Sequence, residues 1–308
     1  MDVRKNITSM KKKTLTVFTP AYNRAHTVGR TYVSLCRQTC KDFEWLIIDD
    51  GSTDDTDKLV HKWQQIDNGF PINYVWKENG GLHTGYNKAI ELIDTELCVC
   101  IDSDDYMPDD AVEKILKCWN EKSSEDVAGI IGLDYLSNNV PIGGPFPQIE
   151  KCHSYELDFK YDHNTDVKYV TRTELLKEVA PQPTYYGEKN FNPHYMFIQI
   201  DLKYKWVILN ENLCFVDYQP DGMANNIYKQ YLNSPNSFAA QRLLNLKIPA
   251  PLSFYLKQSV HLCSSAILSG NYFWIKRSSR PLLTILSLPF GFIFSLYVRF
   301  HNIIKIKK

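Results

Sequence analysis

The chain has 308 residues, of which 44% are hydrophobic and 23% are charged, and its 35 Lys and Arg balance its 35 Asp and Glu. This length and composition suit one large globular domain, or one domain with an appendage, and exclude a disordered chain. Eight cysteines in a chain of this size do not indicate a disulfide framework, and no Cys/His pair follows Cys36 and Cys40 at zinc-finger spacing.

The first 13 residues are basic but lack the apolar stretch of a secretory signal. Together with the cysteine usage, this predicts a protein of the reducing cytoplasm.

Residues 14–133 alternate between short apolar runs and longer stretches with helical periodicity. The predicted strands are residues 14–19, 43–49, 72–77, 97–102 and 127–133. The predicted helices lie between them, at 26–38, 54–66, 83–94 and 109–121. Strands that alternate with helices at this spacing predict an α/β fold with a parallel sheet covered on both faces.

The second half of the chain is less regular. Residues 134–192 predict a loop-rich insertion that carries substrate contacts. Residues 194–204 predict a helix, and residues 205–219 predict two short strands around a turn. From residue 222 onward the pattern predicts helices interrupted near Pro235, Pro249 and Pro281.

Each of the first four predicted strands runs into polar sequence. These polar segments are Thr19–Asn23, Asp49–Asp54, Asn79–Asn87 and Asp102–Asp105. Ligands of an open parallel sheet bind beyond the carboxyl ends of its strands. We therefore expect the four segments to form one polar rim at one edge of the sheet.

Two acidic residues, Asp102 and Asp104, follow the fourth strand with Ser103 between them. Carboxylates at this spacing can point into one cleft, and they suit Mg²⁺ or Mn²⁺, which commonly combine few protein carboxylates with substrate phosphates. The alternative is a cluster that caps the following helix. The rim favours a metal site.

The second and third polar segments each allow a local and a functional interpretation. Asp49–Asp54 suits a turn and a helix cap, and an Asp there can also accept a hydrogen bond from a uracil ring. Gly80 and Gly81 precede a helix on which His83 and Asn87 share a face. Backbone N–H groups at such a helix start favour a diphosphate, whereas the alternative is a plain connection with a surface histidine.

In this order and spacing, the four segments resemble the family 2 glycosyltransferases of GT-A fold, especially those that make bacterial capsules and exopolysaccharides. The resemblance covers roughly residues 14–225 and implies a Rossmann-like, mostly parallel sheet flanked by helices. It also implies an inverting transferase that uses a nucleotide-diphosphate sugar, which we expect to be a UDP-sugar. The residues expected to hold the donor are Thr19, Pro20, Ala21, Tyr22, Asn23, Arg24, Asp50, Gly80, Gly81, His83, Asn87, Asp102 and Ser103. Asp104 is implied to be the direct ligand of Mn²⁺ or Mg²⁺, with Asp102 beside it.

The sequence departs from the family pattern at two points. Leu82 stands where relatives often have a lysine, so His83 or Arg24 would have to hold the phosphates. The catalytic base is either Glu188, in a family-like Gly-Glu-Lys segment, or His194, where relatives keep a carboxylate. His194 can equally be a packing residue at a helix start. Asp221 and Gly222 also look family-like.

The C-terminal segment differs from the rest of the chain. Residues 222–308 contain eleven Lys and Arg and no Asp or Glu, and residues 282–298 are 17 uncharged residues interrupted by Pro289 and Gly291. Such a run is short for a spanning helix and favours an interfacial segment on anionic lipid, with core packing or a transmembrane helix as alternatives. Nucleic acid is disfavoured, because so much aliphatic surface suits lipid better.

These observations divide the chain into a basic segment (1–13), a GT-A domain (14–221) and a helical extension (222–308). The domain comprises a nucleotide-sugar half (14–133) and an acceptor-side half (134–221). We expect a protein bound to the inner face of the cell membrane that acts on a glycan or a polyprenyl-diphosphate-linked acceptor. The competing functions are a nucleotidyltransferase that makes sugar nucleotides, which lacks support because no glycine follows the first strand, and a non-catalytic binding protein.

Overall fold

A computed structural model describes residues 12–217 and 226–306, with side chains described as far as His301. Its eight strands form one sheet in the order β3-β2-β1-β4-β7-β5-β8-β6. The strands are β1 (Leu15–Ala21), β2 (Phe43–Asp49), β3 (Ile72–Trp76), β4 (Leu97–Cys100), β5 (Val127–Leu136), β6 (Lys151–Cys152), β7 (Val167–Arg172) and β8 (Lys205–Val216).

Helices cover both faces of the sheet, as predicted. In the first half they are α1 (Val28–Arg37), α2 (Thr56–Gln64), α3 (Leu82–Leu92) and α4 (Ala111–Lys122). One hydrophobic core contains Val17, Trp45 and Ile115, and the core on the opposite face contains Phe18, Ile48 and Ala89. All seven residues of β1 are buried, which explains why this strand is mostly apolar and lacks charged residues on either face.

The stretch 134–192 is more regular than the loop-rich insertion that we expected. This stretch contains β6, α5 (Ser154–Lys160), β7 and α6 (Thr173–Val179). β7 pairs antiparallel with both β4 and β5 in the middle of the sheet, so the sheet is mixed. The pairs β1–β2, β2–β3, β1–β4 and β5–β8 are parallel.

The end of the acceptor-side half also differs from expectation. α7 (His194–Asp201) is shorter than the predicted helix. Residues 205–216 form the single strand β8, and its register against β5 shifts between Leu209 and Asn212. The predicted turn between two strands is therefore a local irregularity within one strand.

The C-terminal extension is helical, as predicted, over its described residues. Its helices are α8 (Ile227–Asn233), α9 (Pro235–Asn245), α10 (Leu252–Ser269), α11 (Phe273–Lys276), α12 (Pro281–Leu286) and α13 (Leu288–Ile306). Leu243, Leu262 and Trp274 share a buried cluster with Phe191 of the preceding domain. The extension therefore completes a core with that domain. The segment containing Asp221 and Gly222 lies outside the described residues.

Helices α12 and α13 of the extension expose large apolar side chains. Across residues 226–306, no helix is both long and apolar enough to cross a membrane. The most exposed apolar side chains of α12 and α13, which we call the apolar face, are Leu282, Ile285, Leu286, Phe290, Phe292, Ile293 and Phe300.

Candidate active site

A cleft of about 1060 Å³ opens at the carboxyl ends of β1, β2 and β4. Of the residues predicted from the sequence, those that line it are Pro20, Ala21, Tyr22, Arg24, Asp50, Gly81, Asp102, Ser103, Asp104 and His194. The predicted residues that do not line it are Thr19, Asn23, Gly80, His83, Asn87 and Glu188. The strand ends thus form one polar rim, to which all of Asp102–Asp105 and only part of each of the other three segments contribute.

Asp102 and Asp104 lie where the sequence predicts a metal site. Asp102 is exposed and Asp104 is half-buried. Burial raises the pKa of Asp104, and the nearby charge of Asp102 raises it further. These acids do not cap the following helix, because α4 begins after Asp110 and has no side-chain cap.

This acidic pair is chemically suited to a divalent cation. Two crowded carboxylates lose their mutual repulsion when a cation lies between them, and hard oxygen ligands suit Mg²⁺ and Mn²⁺. Among the residues in 12–217 and 226–301, no group of three or more His, Cys, Asp or Glu side chains could hold a metal. Further ligands would come from a bound substrate and from water.

The buried carboxylate of Asp50 organises the loop that precedes α3. It accepts hydrogen bonds from the backbone N–H groups of Gly80 and Gly81, at 3.0 and 2.8 Å, and from Lys77 Nζ at 2.5 Å. Asn79 Nδ2 adds a contact of 3.2 Å. The two glycine amides are therefore engaged within the protein, contrary to the expectation that they would face a diphosphate.

The turn after β1 is held by the turn after β2. The backbone N–H of Asn23 donates to Ser52 Oγ at 2.8 Å, and Asn23 Oδ1 accepts from the backbone N–H of Thr53 at 2.8 Å. Thr19 Oγ1 accepts a hydrogen bond from Trp45 Nε1 inside the core. Thr19 and Asn23 thus have structural roles, whereas Tyr22 lines the cleft and is 49% exposed.

His83 and Asn87, on the inner face of α3, are buried or engaged by the protein. His83 is 1% exposed, and burial lowers its pKa. The side chain of Asn87 forms two 2.8 Å hydrogen bonds with the backbone of Gln182, one donated and one accepted. Both residues face the segment 180–193 and not the cleft.

The two candidate bases have very different surroundings. Glu188 is 8% exposed, and its carboxylate accepts four hydrogen bonds of 2.6–2.8 Å from Asn236 and Ser237 at the start of α9. His194 lines the cleft at the start of α7, with Nε2 3.5 Å from the hydroxyl of Tyr169. Burial lowers the pKa of His194 to about 4, so its imidazole is neutral at pH 7.

Several cleft residues were missed by the sequence analysis. Lys168 on β7 lies 3.6 Å from Asp134, and both side chains are nearly buried. Burial raises the pKa of Asp134 to about 6 and that of Asp158 to about 6. Phe254 brings α10 to the same cleft. The sequence carries no local signal for Lys168, because β7 also contains Arg172 and does not have the pattern of an apolar strand.

The family described as Glycosyl transferase family 2 matches residues 16–173, about half of the chain. The chain belongs to this family. It is 33% identical over 112 residues to the putative teichuronic acid biosynthesis glycosyltransferase TuaG of Bacillus subtilis (strain 168), covering 36% of this chain and 44% of TuaG. It is 36% identical over 103 residues to chondroitin synthase of Pasteurella multocida (strain Pm70), covering 33% of this chain and 10% of that protein. The chain spans less than half the length of these relatives.

Two solved structures share the fold. S. aureus TarS in complex with UDP-GlcNAc aligns with a TM-score of 0.59 and 17% identity, covering 89% of this chain and 79% of that one. The mannosyltransferase PcManGT from Pyrobaculum calidifontis, in complex with GDP-Man and Mn²⁺, aligns with a TM-score of 0.57 and 15% identity, covering 93% and 88%. The GT-A type fold expected from the sequence is confirmed.

Proposed function

We propose that this chain transfers a sugar, with inversion, from a nucleoside-diphosphate sugar to a hydroxyl of a glycan in surface polysaccharide synthesis. The observation that carries the proposal is the acidic pair Asp102 and Asp104, which opens into the same cleft as the strand-end residues Pro20 and Tyr22. The names of TuaG and TarS support a polysaccharide role, and the UDP-GlcNAc bound to TarS supports a UDP-sugar donor.

Asp104, with Asp102 beside it, would hold Mn²⁺ or Mg²⁺. The bound cation would stabilise the negative charge that develops on the leaving diphosphate. Arg24 adds positive charge near this acid, because it partly offsets the rise that burial and Asp102 cause in the pKa of Asp104. The exposed ring of Tyr22 offers a surface for the nucleoside base.

Of the two candidate bases, the geometry favours His194. Its neutral imidazole lines the cleft and can accept the proton of the attacking hydroxyl. The carboxylate of Glu188 is buried away from the cleft and is saturated by donors from α9. A single displacement needs no covalent nucleophile on the enzyme.

We also place the protein on an anionic membrane surface at the cytoplasmic side, where a polyprenyl-diphosphate-linked glycan would be the acceptor. The apolar face and the acid-free, basic composition of the extension support this location. The far end of the cleft is lined by Phe159, Ile248 and Phe254, which suit the apolar faces of sugar rings. Nucleic acid has no place in this proposal.

The proposal is tested by incubating the full chain and Asp104→Asn with UDP-glucose, UDP-GlcNAc or GDP-mannose, with and without Mn²⁺. Slow release of nucleoside diphosphate that depends on Mn²⁺ and on Asp104 is expected from a glycosyltransferase. Binding without any release would identify a non-catalytic protein. Pyrophosphate release from a nucleoside triphosphate and a sugar phosphate would identify a nucleotidyltransferase.

Membrane binding is tested by sedimentation with vesicles of phosphatidylglycerol and phosphatidylcholine. Point substitutions are preferable to deletion, because α10 and α11 complete the core with Phe191. Leu286→Glu/Phe290→Glu should abolish sedimentation, whereas the control Ile66→Glu, at an exposed apolar residue outside the extension, should not. Equal sedimentation of all three proteins would exclude the apolar face as the lipid contact.

A further inference from the structure

We propose that Lys189 provides a positive charge for the donor diphosphate, and that Glu188 is a positioning residue that holds Lys189 in place. This inference rests on the proposed function and assigns two residues to the same site. Glu188 would then act by positioning Lys189, and not as the catalytic base.

The backbone of Lys189 lies directly against the loop that precedes α3. A Cβ atom on Gly81 would come within 1.9 Å of the carbonyl oxygen of Lys189, so only glycine permits this approach. Lys189 Nζ lies 2.6 Å from Oδ1 of Asn79. The side chain is exposed and lines the cleft beside Asn79 and Gly81.

On the glycine-loop side of the cleft, the hydrogen-bond donors near Lys189 are already engaged within the protein. The amides of Gly80 and Gly81 donate to Asp50, and Lys77 Nζ donates to Asp50 as well. Leu82, which also lines the cleft, carries no charge. None of these groups can therefore neutralise a diphosphate.

Within the described part of the chain, the Lys and Arg residues that line the cleft are Arg24, Lys168 and Lys189. Lys168 faces Asp134, and Arg24 lies near Asp104. Lys189 thus supplies charge on the glycine-loop side of the cleft, beside Asn79 and Gly81, and Arg24 supplies charge near the acidic pair.

Glu188 fixes the backbone from which Lys189 extends. Its two carboxylate oxygens accept from the backbone N–H groups of Asn236 and Ser237 and from the side chains of the same two residues. Such charge-assisted bonds at a helix N-terminus are strong. Gln at position 188 would place an NH₂ group against donors and loosen this attachment.

The test of Lys189 compares wild type, Lys189→Met, Lys189→Arg and the control Lys88→Met, since Lys88 is paired with Glu91 on the surface of α3. UDP and uridine are titrated separately with Mn²⁺ present, and GDP and guanosine replace them if the wild type prefers GDP. Lys189→Met should weaken diphosphate binding about ten- to hundredfold and leave nucleoside binding unchanged. Lys189→Arg should retain most of the affinity, and Lys88→Met all of it.

Diphosphate affinity of Lys189→Met within twofold of wild type would overturn the assignment. A wild type that binds no nucleotide at all would instead overturn the proposed function, so the two failures are distinguishable.

The test of Glu188 is a double-mutant cycle. Glu188→Gln should raise the KM for the donor with little change in kcat, and Glu188→Gln/Lys189→Met should bind UDP no more weakly than Lys189→Met alone. A base would behave differently, with a fall in kcat of about 10²–10⁴-fold and unchanged donor affinity.

If Glu188→Gln does not fold, Ser237→Ala removes one of the four hydrogen bonds to Glu188 and should show the same coupling with Lys189→Met. Additive losses in the double variant would overturn the positioning role.

Discussion

Replacing Gly81 by Ala tests whether the approach between the glycine loop and Lys189 is essential. Gly81 has φ 95° and ψ 165°, a region used almost only by glycine, and an L-residue there costs about 1–3 kcal/mol. The new Cβ would also meet backbone atoms of Lys189, at 1.9 Å from the oxygen and 2.6 Å from the carbon. Since backbone cannot rotate away, overpacking adds about 1–3 kcal/mol. Gly81→Ala should therefore lower the free energy of unfolding by about 2–6 kcal/mol.

The matched control is Gly144→Ala, because Gly144 also has a positive φ of 84° but nothing within 4 Å of an added Cβ. The control bears only the backbone cost, about 1–2 kcal/mol. Urea unfolding measures both variants, and UDP titration measures the site. Gly81→Ala should lose donor binding, whereas Gly144→Ala should keep it. Equal unfolding free energies for the two variants, with intact donor binding, would refute the reasoning.

Three further predictions concern titratable side chains of the cleft. Asp104→Asn should lose sugar transfer by at least about 10²-fold, and UDP with Mn²⁺ should stabilise the wild type but not the variant in thermal unfolding. His194 has a folded pKa of about 4, below its ordinary value of 6.5, so the unfolded chain binds the proton first. The unfolding free energy of wild type relative to His194→Gln should therefore fall as the pH decreases from 6.5 towards 4, and a constant difference would contradict this burial. Lys168→Met should cost about 3–5 kcal/mol by leaving Asp134 uncompensated, and adding Asp134→Asn should recover part of that loss in urea unfolding.

Most of the first half of the fold could be predicted because β1, β2 and β4 are buried on both faces. The runs at 15–21 and 43–49 are mostly apolar for that reason. β7 escaped prediction because it carries the charged residues Lys168 and Arg172. Lys168 faces Asp134, and Arg172 donates to the backbone of Val127. A charged strand at the centre of a sheet has no local signature.

The candidate site was predictable where function depends on position after a strand, as for Asp102 and Asp104. It was not predictable where a side chain has a partner far along the chain. Asn87 bonds with Gln182, 95 residues away, and Glu188 bonds with Asn236, 48 residues away. The sequence shows the polar residue but not the group that satisfies it, so a structural role resembles a catalytic one.

A continuous series of contacts joins the extension to the proposed donor site. Trp274 Nε1 donates to Asn236 Oδ1 at 2.9 Å, and Asn236 in turn donates to Glu188. The next residue, Lys189, donates to Asn79, which donates to Asp50. If lipid binding at the extension shifts this series, the thermodynamic linkage is reciprocal. The factor by which vesicles change the affinity for the donor must then equal the factor by which the donor changes the affinity for vesicles. The donor-loaded enzyme would therefore partition differently between membrane and solution.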